Sequence, residues 1–251
     1  MRLRFLQVTA LLLMTLVSWS AKATVVDWEA TRFADHQMAL RCYLPDEVHQ
    51  VRAIIVLVPG MNGDGRSMAN DPEWMGLAQR NGCALIGCSI KGIQGAVYHE
   101  VVQWSGELFL SGIGELARMS NHPELENVPL GFWGHSAGGQ WNYNFACWKP
   151  ERTFAFIVNK GAYYQGVSSQ AVRAIPSLWI AGGKDTDERI GNIMRGETIG
   201  LHPNSVSRRC YLIKNIGCAM ALGGKANFGL LHHRLGIGFR LRCQHTVKRH
   251  H

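Results

Sequence analysis

Acidic side chains all but vanish from the last part of this chain. Residues 195–251 hold a single acid, Glu197, against ten Lys and Arg, a net of +9. Residues 1–194 are balanced, with 16 Lys and Arg against 17 Asp and Glu. The overall charge of +8 is therefore a property of one segment, and the rest of the molecule carries no excess positive field to draw it to nucleic acid. Long apolar runs are scarce as well. The one sustained run, Phe5 to Val17, is interrupted by Gln7, Thr9 and Thr15, and it is too short to span a bilayer comfortably. No C-x-x-C pair occurs among the seven cysteines, which argues against a structural zinc site. Seven is also odd, so the cysteines cannot all pair within one chain, and their spacing leaves connectivity open. Cys83 and Cys88 bracket an apolar segment and read as buried free thiols. Internal repeats and low-complexity linkers are absent.

What the first residues do contain is the pattern of a secretory signal peptide. Arg2 and Arg4 precede the apolar run, and Ala21-Lys22-Ala23 supplies small residues at the recognition positions. Cleavage after Ala23 leaves residues 24–251, enough for one sizeable core and short for two domains. The expected location is secreted or periplasmic, with no membrane span after cleavage. The expected organisation is a signal peptide over 1–23, a core over 24–194 and a basic segment over 195–251.

Strand and helix patterns then alternate. Residues 37–44 and 83–89 read as strands, and Val51 to Val58 is a nearly continuous aliphatic run that stops at Pro59-Gly60. Ser67 to Asn81 carries helix signals, with Asp71 as a cap before Pro72 and Asn81-Gly82 at the end. Trp104 to Asn121 shows helical spacing, and a strand at 130–133 precedes a helix from Ala137 to Trp148. Further strands are expected at 154–159 and 177–181. The fold class this predicts is α/β: one mainly parallel sheet with helices on both faces. Beyond residue 195 no strand-like run is bounded as the earlier ones are.

The chemistry centres on Gly134-His135-Ser136-Ala137-Gly138, which comes after an apolar strand and opens a helix. A Gly-x-Ser-x-Gly turn at that junction pushes the serine hydroxyl out of the sheet and aims the helix N-terminus at it. Acyl transfer also needs a base, an acid to orient the base, and donors for the oxyanion. Asp185, in the Gly-x-x-Asp after the strand 177–181, is the expected acid, with Asp187 in reserve. The Gly-rich loop Pro59-Gly60-Met61-Asn62-Gly63 comes after the first central strand. Its Met61 N–H, with that of Ala137, is the expected oxyanion hole. The expected base is His233, with His232 beside it; His202 and His245 are the other candidates past the acid. Trp104, Trp133, Trp141, Tyr143, Tyr163 and Tyr164 are candidates for an apolar or sugar-stacking surface, with core packing the commoner role.

Together "VLVPGMNGDGR", "GFWGHSAGG" and "LWIAGGKDTDE", behind a signal peptide, resemble the secreted α/β-hydrolases of the polyhydroxybutyrate-depolymerase and feruloyl-esterase type, near the dienelactone-hydrolase-like proteins. The resemblance covers roughly residues 37–190. It implies the α/β-hydrolase fold and hydrolysis of carboxylic esters, small or polymeric, through a serine acyl-enzyme without cofactor or metal. It assigns Ser136 as nucleophile, Asp185 as acid, and Met61 with Ala137 as oxyanion donors. One departure is Pro59-Gly60-Met61, where many relatives have His-Gly-x. The other is the histidine, which relatives carry some 25–45 residues past the acid, whereas His233 lies 48 past Asp185. Two accounts of the basic segment stay open: translation in a shifted frame, which replaces the true histidine loop, and a native extension that binds acidic polymer or a membrane surface. The alternative function is a non-catalytic or inactivated hydrolase-like binding protein.

Overall fold

The aliphatic run of 51–58 forms strand β3 (Ala53–Val58), and its side chains divide between two cores. Ile54, Val56 and Val58 enter one, while Ile55 and Leu57 enter the other. A strand covered on both faces needs this unbroken apolar composition rather than an alternating one. The computed structural model describes residues 23–32, 36–46, 48–92, 101–161, 164, 169–182, 185–188, 190–192 and the backbone of 209–213.

Eight strands form one sheet in the order β1-β2-β4-β3-β5-β6-β7-β8. They are β1 (Thr24–Arg32), β2 (His36–Leu44), β3, β4 (Cys83–Gly92), β5 (Leu130–His135), β6 (Thr153–Asn159), β7 (Ser177–Gly182) and β8 (Arg209–Ile213). The pairs β1–β2 and β2–β4 are antiparallel, and all later pairs are parallel. From β3 the chain moves outward to β4, then crosses back to lay β5 on the other side of β3. This reversal opens a crevice at the C-terminal ends of β3 and β5, where open α/β sheets hold their ligands.

Helices cover both faces. Helix α1 (Pro72–Asn81) puts Trp74, Leu77 and Ala78 on one core. Helices α2 (Gly106–Ser120) and α3 (Ala137–Trp148) cover the other with Phe109, Ile113, Leu116, Trp141 and Phe145. Phe109, Phe132, Trp141 and Phe145 are all mutual neighbours, with ring centroids 4.9–6.4 Å apart. Edge-to-face and offset contacts of this kind add to the energy of burying the rings. They join α2, β5 and α3 into one body. Short helix α4 (Gln170–Ala174) adds Val172 to the same core.

Four elements differ from the sequence expectation. The segment 67–81 is broken, with a 3-10 turn over Arg66–Asn70 and then α1. Pro72 forces Asp71 out of the helical region, to φ −72° and ψ 124°. The expected helix at 104 is preceded by a π turn over Val101–Ser105 that runs directly into α2. Strand β1 was not anticipated, although half-buried Val26, Trp28 and Ala30 alternate there with exposed Val25, Asp27 and Glu29. Strand β8 also corrects the expectation of no strand beyond 195. Its apolar run is only Cys210-Tyr211-Leu212-Ile213, with a cation on either side and no Gly or Pro to punctuate it.

Asp71 caps α1 as expected: its Oδ1 accepts the N–H groups of Glu73 (2.9 Å) and Trp74 (3.3 Å). At the far end Gly82 closes the helix in the left-handed region at φ 61°. Asp71→Ala leaves two N–H groups without this acceptor, so a denaturant midpoint read with unchanged slope should show a loss of about 1 kcal/mol.

Candidate active site

Ser136 stands between β5 and α3 at φ 53° and ψ −121°. A serine in this sparsely populated region costs on the order of 1–3 kcal/mol, which the surroundings must supply. They do so through the backbone. Ser136 N–H donates to the Asn159 carbonyl at 2.8 Å. Its own carbonyl accepts from Gly139 N–H (3.0 Å) and Gln140 N–H (3.2 Å), starting the helix. One turn further along α3, buried Asn142 donates from Nδ2 to the Ile157 carbonyl of β6 at 3.0 Å.

The flanking glycines are steric requirements. A Cβ at Gly134 would strike the Gly138 carbonyl and come within 2.5 Å of Asn142 Nδ2. A Cβ at Gly138 would strike the carbonyl oxygens of Val58 and Pro59, at the end of β3. The first turn of α3 is thus pressed against the strand that launches the Gly-rich loop. A side chain at Gly60 would put its Cβ 3.5 Å from His135 Nδ1 and 3.7 Å from Ser136 Cβ. The loop therefore passes directly beside the nucleophile.

That loop is a built turn. Gly63 N–H donates to the Gly60 carbonyl at 3.0 Å, which leaves the Met61 N–H outside the turn's own hydrogen bond. Asn62 sits at φ 54°, the conformation that the third residue of a type II turn requires and that Asn tolerates. Its Oδ1 accepts Gly92 N–H at 3.3 Å, and Gly65 N–H donates to the Cys88 carbonyl at 2.8 Å. Asp64 receives Arg66 through Nε at 3.0 Å and Nη2 at 2.6 Å, which holds its carboxyl below the usual range. The loop is therefore tied to β4 along its length. Met61 itself is 62% exposed. Ala137, buried, is the first residue of α3, and N–H groups of a first turn have no partner within their helix.

Asp185 lies just past β7, half-buried. Its Oδ2 accepts Gly182 N–H at 2.7 Å, and its own N–H donates to the Gly182 carbonyl at 3.0 Å. This double link fixes the carboxylate at the end of the strand. Asp187 is exposed and begins a helical turn. Strands β5 and β7 flank β6, so Ser136 and Asp185 leave the sheet two strand spacings apart, about 10 Å. His202, His232, His233 and His245 lie outside the described residues, as does Tyr163.

Of the aromatic candidates, Trp104, Trp141 and Tyr143 are buried and belong to the core; Trp133 and Tyr164 are half-buried. Trp141 Nε1 donates to Ser105 Oγ at 2.8 Å, so its polar edge is spent inside. The cysteines offer no rival nucleophile among the described residues. Burial pushes Cys42 up to about 12, Cys83 and Cys147 to about 11, and Cys88 upward as well, so thiolate is scarce at neutral pH. Cys83 and Cys88 are buried and unbridged, as expected. No group of three potential metal ligands occurs among the described residues. Sequence reasoning overlooked the segment Asn159-Lys160-Gly161, which lies between nucleophile and acid.

Gly138→Ala should cost about 1–3 kcal/mol by overpacking, because carbonyls at a strand end cannot give way as a flexible side chain would. A urea midpoint measures this, and an unchanged midpoint contradicts the described contact.

No protein-family model and no curated relative matches the chain. Solved structures do. An S-formylglutathione hydrolase from Agrobacterium tumefaciens superposes with a TM-score of 0.59 at 12% identity, covering 86% of this chain and 96% of that one. A fungal esterase from Rhizomucor miehei gives 0.52 at 14% identity, with 87% of each chain covered. A dienelactone hydrolase from Anabaena variabilis gives 0.50 at 18%, covering 84% of this chain and 98% of that one. With the strand order and the strained turn after β5, these likenesses establish that the chain has the α/β-hydrolase fold.

Proposed function

We propose that the chain is an exported serine hydrolase that cleaves carboxylic esters through an acyl-enzyme. The observation that carries this is Ser136 at φ 53°, held between β5 and α3 beside the Gly60 loop. The cost of a left-handed serine at this junction is sustained by the backbone hydrogen bonds to Asn159, Gly139 and Gln140. In the proposed reaction Ser136 Oγ attacks the ester carbonyl and gives its proton to His233. The carbonyl oxygen becomes an oxyanion facing the N–H groups of Met61 and Ala137. The intermediate collapses as the imidazolium returns the proton to the leaving alkoxide, and water repeats the cycle on the acyl-enzyme. Asp185 keeps the imidazole in the required tautomer. An imidazole, with a ring nitrogen at each end, suits the gap between acid and nucleophile.

The three structural neighbours named above are an esterase and two hydrolases, which supports the reaction class. Export is inferred from the signal-peptide pattern over 1–23, and β1 begins at Thr24, the first residue after the expected cleavage. The substrate is an ester, small or polymeric, and nucleic acid has no place in the reading. A binding protein that has lost its base is the second reading. One observation favours it: residues 203–231, a stretch that includes β8, contain no histidine.

Hydrolysis of a p-nitrophenyl ester separates the two. The first reading expects turnover by the native chain that falls on the order of a thousandfold or more in Ser136→Ala and in His233→Ala. Turnover indifferent to Ser136→Ala contradicts it. Ester binding without turnover establishes the second.

A further inference from the structure

The strip of chain between the nucleophile and the acid is built more tightly than a connection needs. Asn159, the last residue of β6, gives its carbonyl to Ser136 N–H at 2.8 Å. Lys160 comes next at φ 59°, a left-handed conformation that a residue with a Cβ rarely adopts. Its N–H donates to the Ile180 carbonyl of β7 at 2.8 Å. Gly161 is third, and a Cβ there would lie 3.2 Å from the Ser136 carbonyl oxygen and 2.8 Å from Val158 Cγ1. The Gly161 carbonyl accepts the Tyr164 hydroxyl at 2.5 Å. Three consecutive residues thus hold the elbow on one side and β7 on the other.

The Lys160 side chain continues the same line. A Cβ placed on Gly182 would lie 2.7 Å from Asp185 Oδ2 and 3.1 Å from Lys160 Cε. Carboxylate and lysine stem therefore meet over the same bare glycine. Gly182 is the residue whose N–H and carbonyl both bond Asp185. The stem fills the space that a side chain at 182 would otherwise occupy.

We infer that Lys160 is a positioning residue for the nucleophile–acid pair: its backbone spans from the elbow to β7, and its methylene stem backs the Gly182–Asp185 turn. This rests on the esterase reading for its catalytic consequence, though not for its geometry. The stem is the part assigned this role, because Cε is the lysine atom that lies against Gly182. The left-handed backbone is what sends the stem across to β7. A lysine at this position would otherwise be replaceable by glycine with relief of strain.

Lys160→Gly keeps the left-handed backbone and deletes the stem, while Lys160→Met restores an unbranched stem without charge. Two readouts apply to both variants, alongside native protein and Ser136→Ala. In the first, amide exchange of Gly182 should speed up about tenfold in Lys160→Gly and stay within about twofold of native in Lys160→Met. In the second, p-nitrophenyl ester kcat should fall between about tenfold and a hundredfold in Lys160→Gly with KM little changed, the scale of an ångström-level misplacement. Lys160→Met should recover it. Unchanged Gly182 exchange in Lys160→Gly overturns the inference whether or not the protein is an esterase. So does a Lys160→Met variant as impaired as Lys160→Gly. Native turnover that survives Ser136→Ala refutes the esterase reading instead, and Gly182 exchange still decides the geometric claim.

Discussion

The structure turns on the contact between the first turn of α3 and the end of β3. Gly138 lies so close to the Val58 and Pro59 carbonyls that no side chain fits between them. That closeness fixes where the helix begins, and so forces the chain to reverse sharply after β5. Ser136 adopts φ 53° because the reversal leaves it no other path. The same contact brings the loop launched by β3 to the serine. One steric fact thus aligns Ser136, the helix N-terminus and the Gly60 loop. The aromatic group of Phe109, Phe132, Trp141 and Phe145 holds α3 down on the sheet and keeps the contact closed.

Around that contact the protein distributes small supports rather than one large one. Asn62 and Gly65 fasten the loop to β4, Asn142 fastens α3 to β6, and Asn159 fastens the elbow itself. Each link is an ordinary hydrogen bond, and its net contribution is about 1 kcal/mol. Together they match the cost of holding a serine and a lysine in the left-handed region. Strain at a functional site sustained by its surroundings is how preorganised catalytic groups are generally kept in place.

Much of this was legible in the sequence because the signals were local. The β-branched run at 54–58, the Asp71-Pro72 start of α1 and the Gly-x-Ser-x-Gly turn each carry their own stereochemical reason, and each element forms where that reason places it. The strands β1 and β8 were not legible, since a half-buried edge strand and a run of four apolar residues between cations resemble loop composition. Lys160 was invisible for a different reason. Its left-handed φ is imposed by Ile180 and by the crowding at Gly161, contacts distant in sequence, and lysine gives no sign of it. Asp185 was expected after β7, and it does sit in a tight turn there. A histidine base obeys no such local rule, because its loop would be defined only by where it returns in space.

On the proposed reading the geometry at Ser136 makes its hydroxyl a nucleophile. Incubation with a fluorophosphonate, then peptide mass mapping, measures this without any knowledge of the substrate. The expected result is one phosphonyl adduct per chain, on Ser136, formed by the folded protein and lost when it is unfolded. No adduct, or one on a different residue, would contradict it.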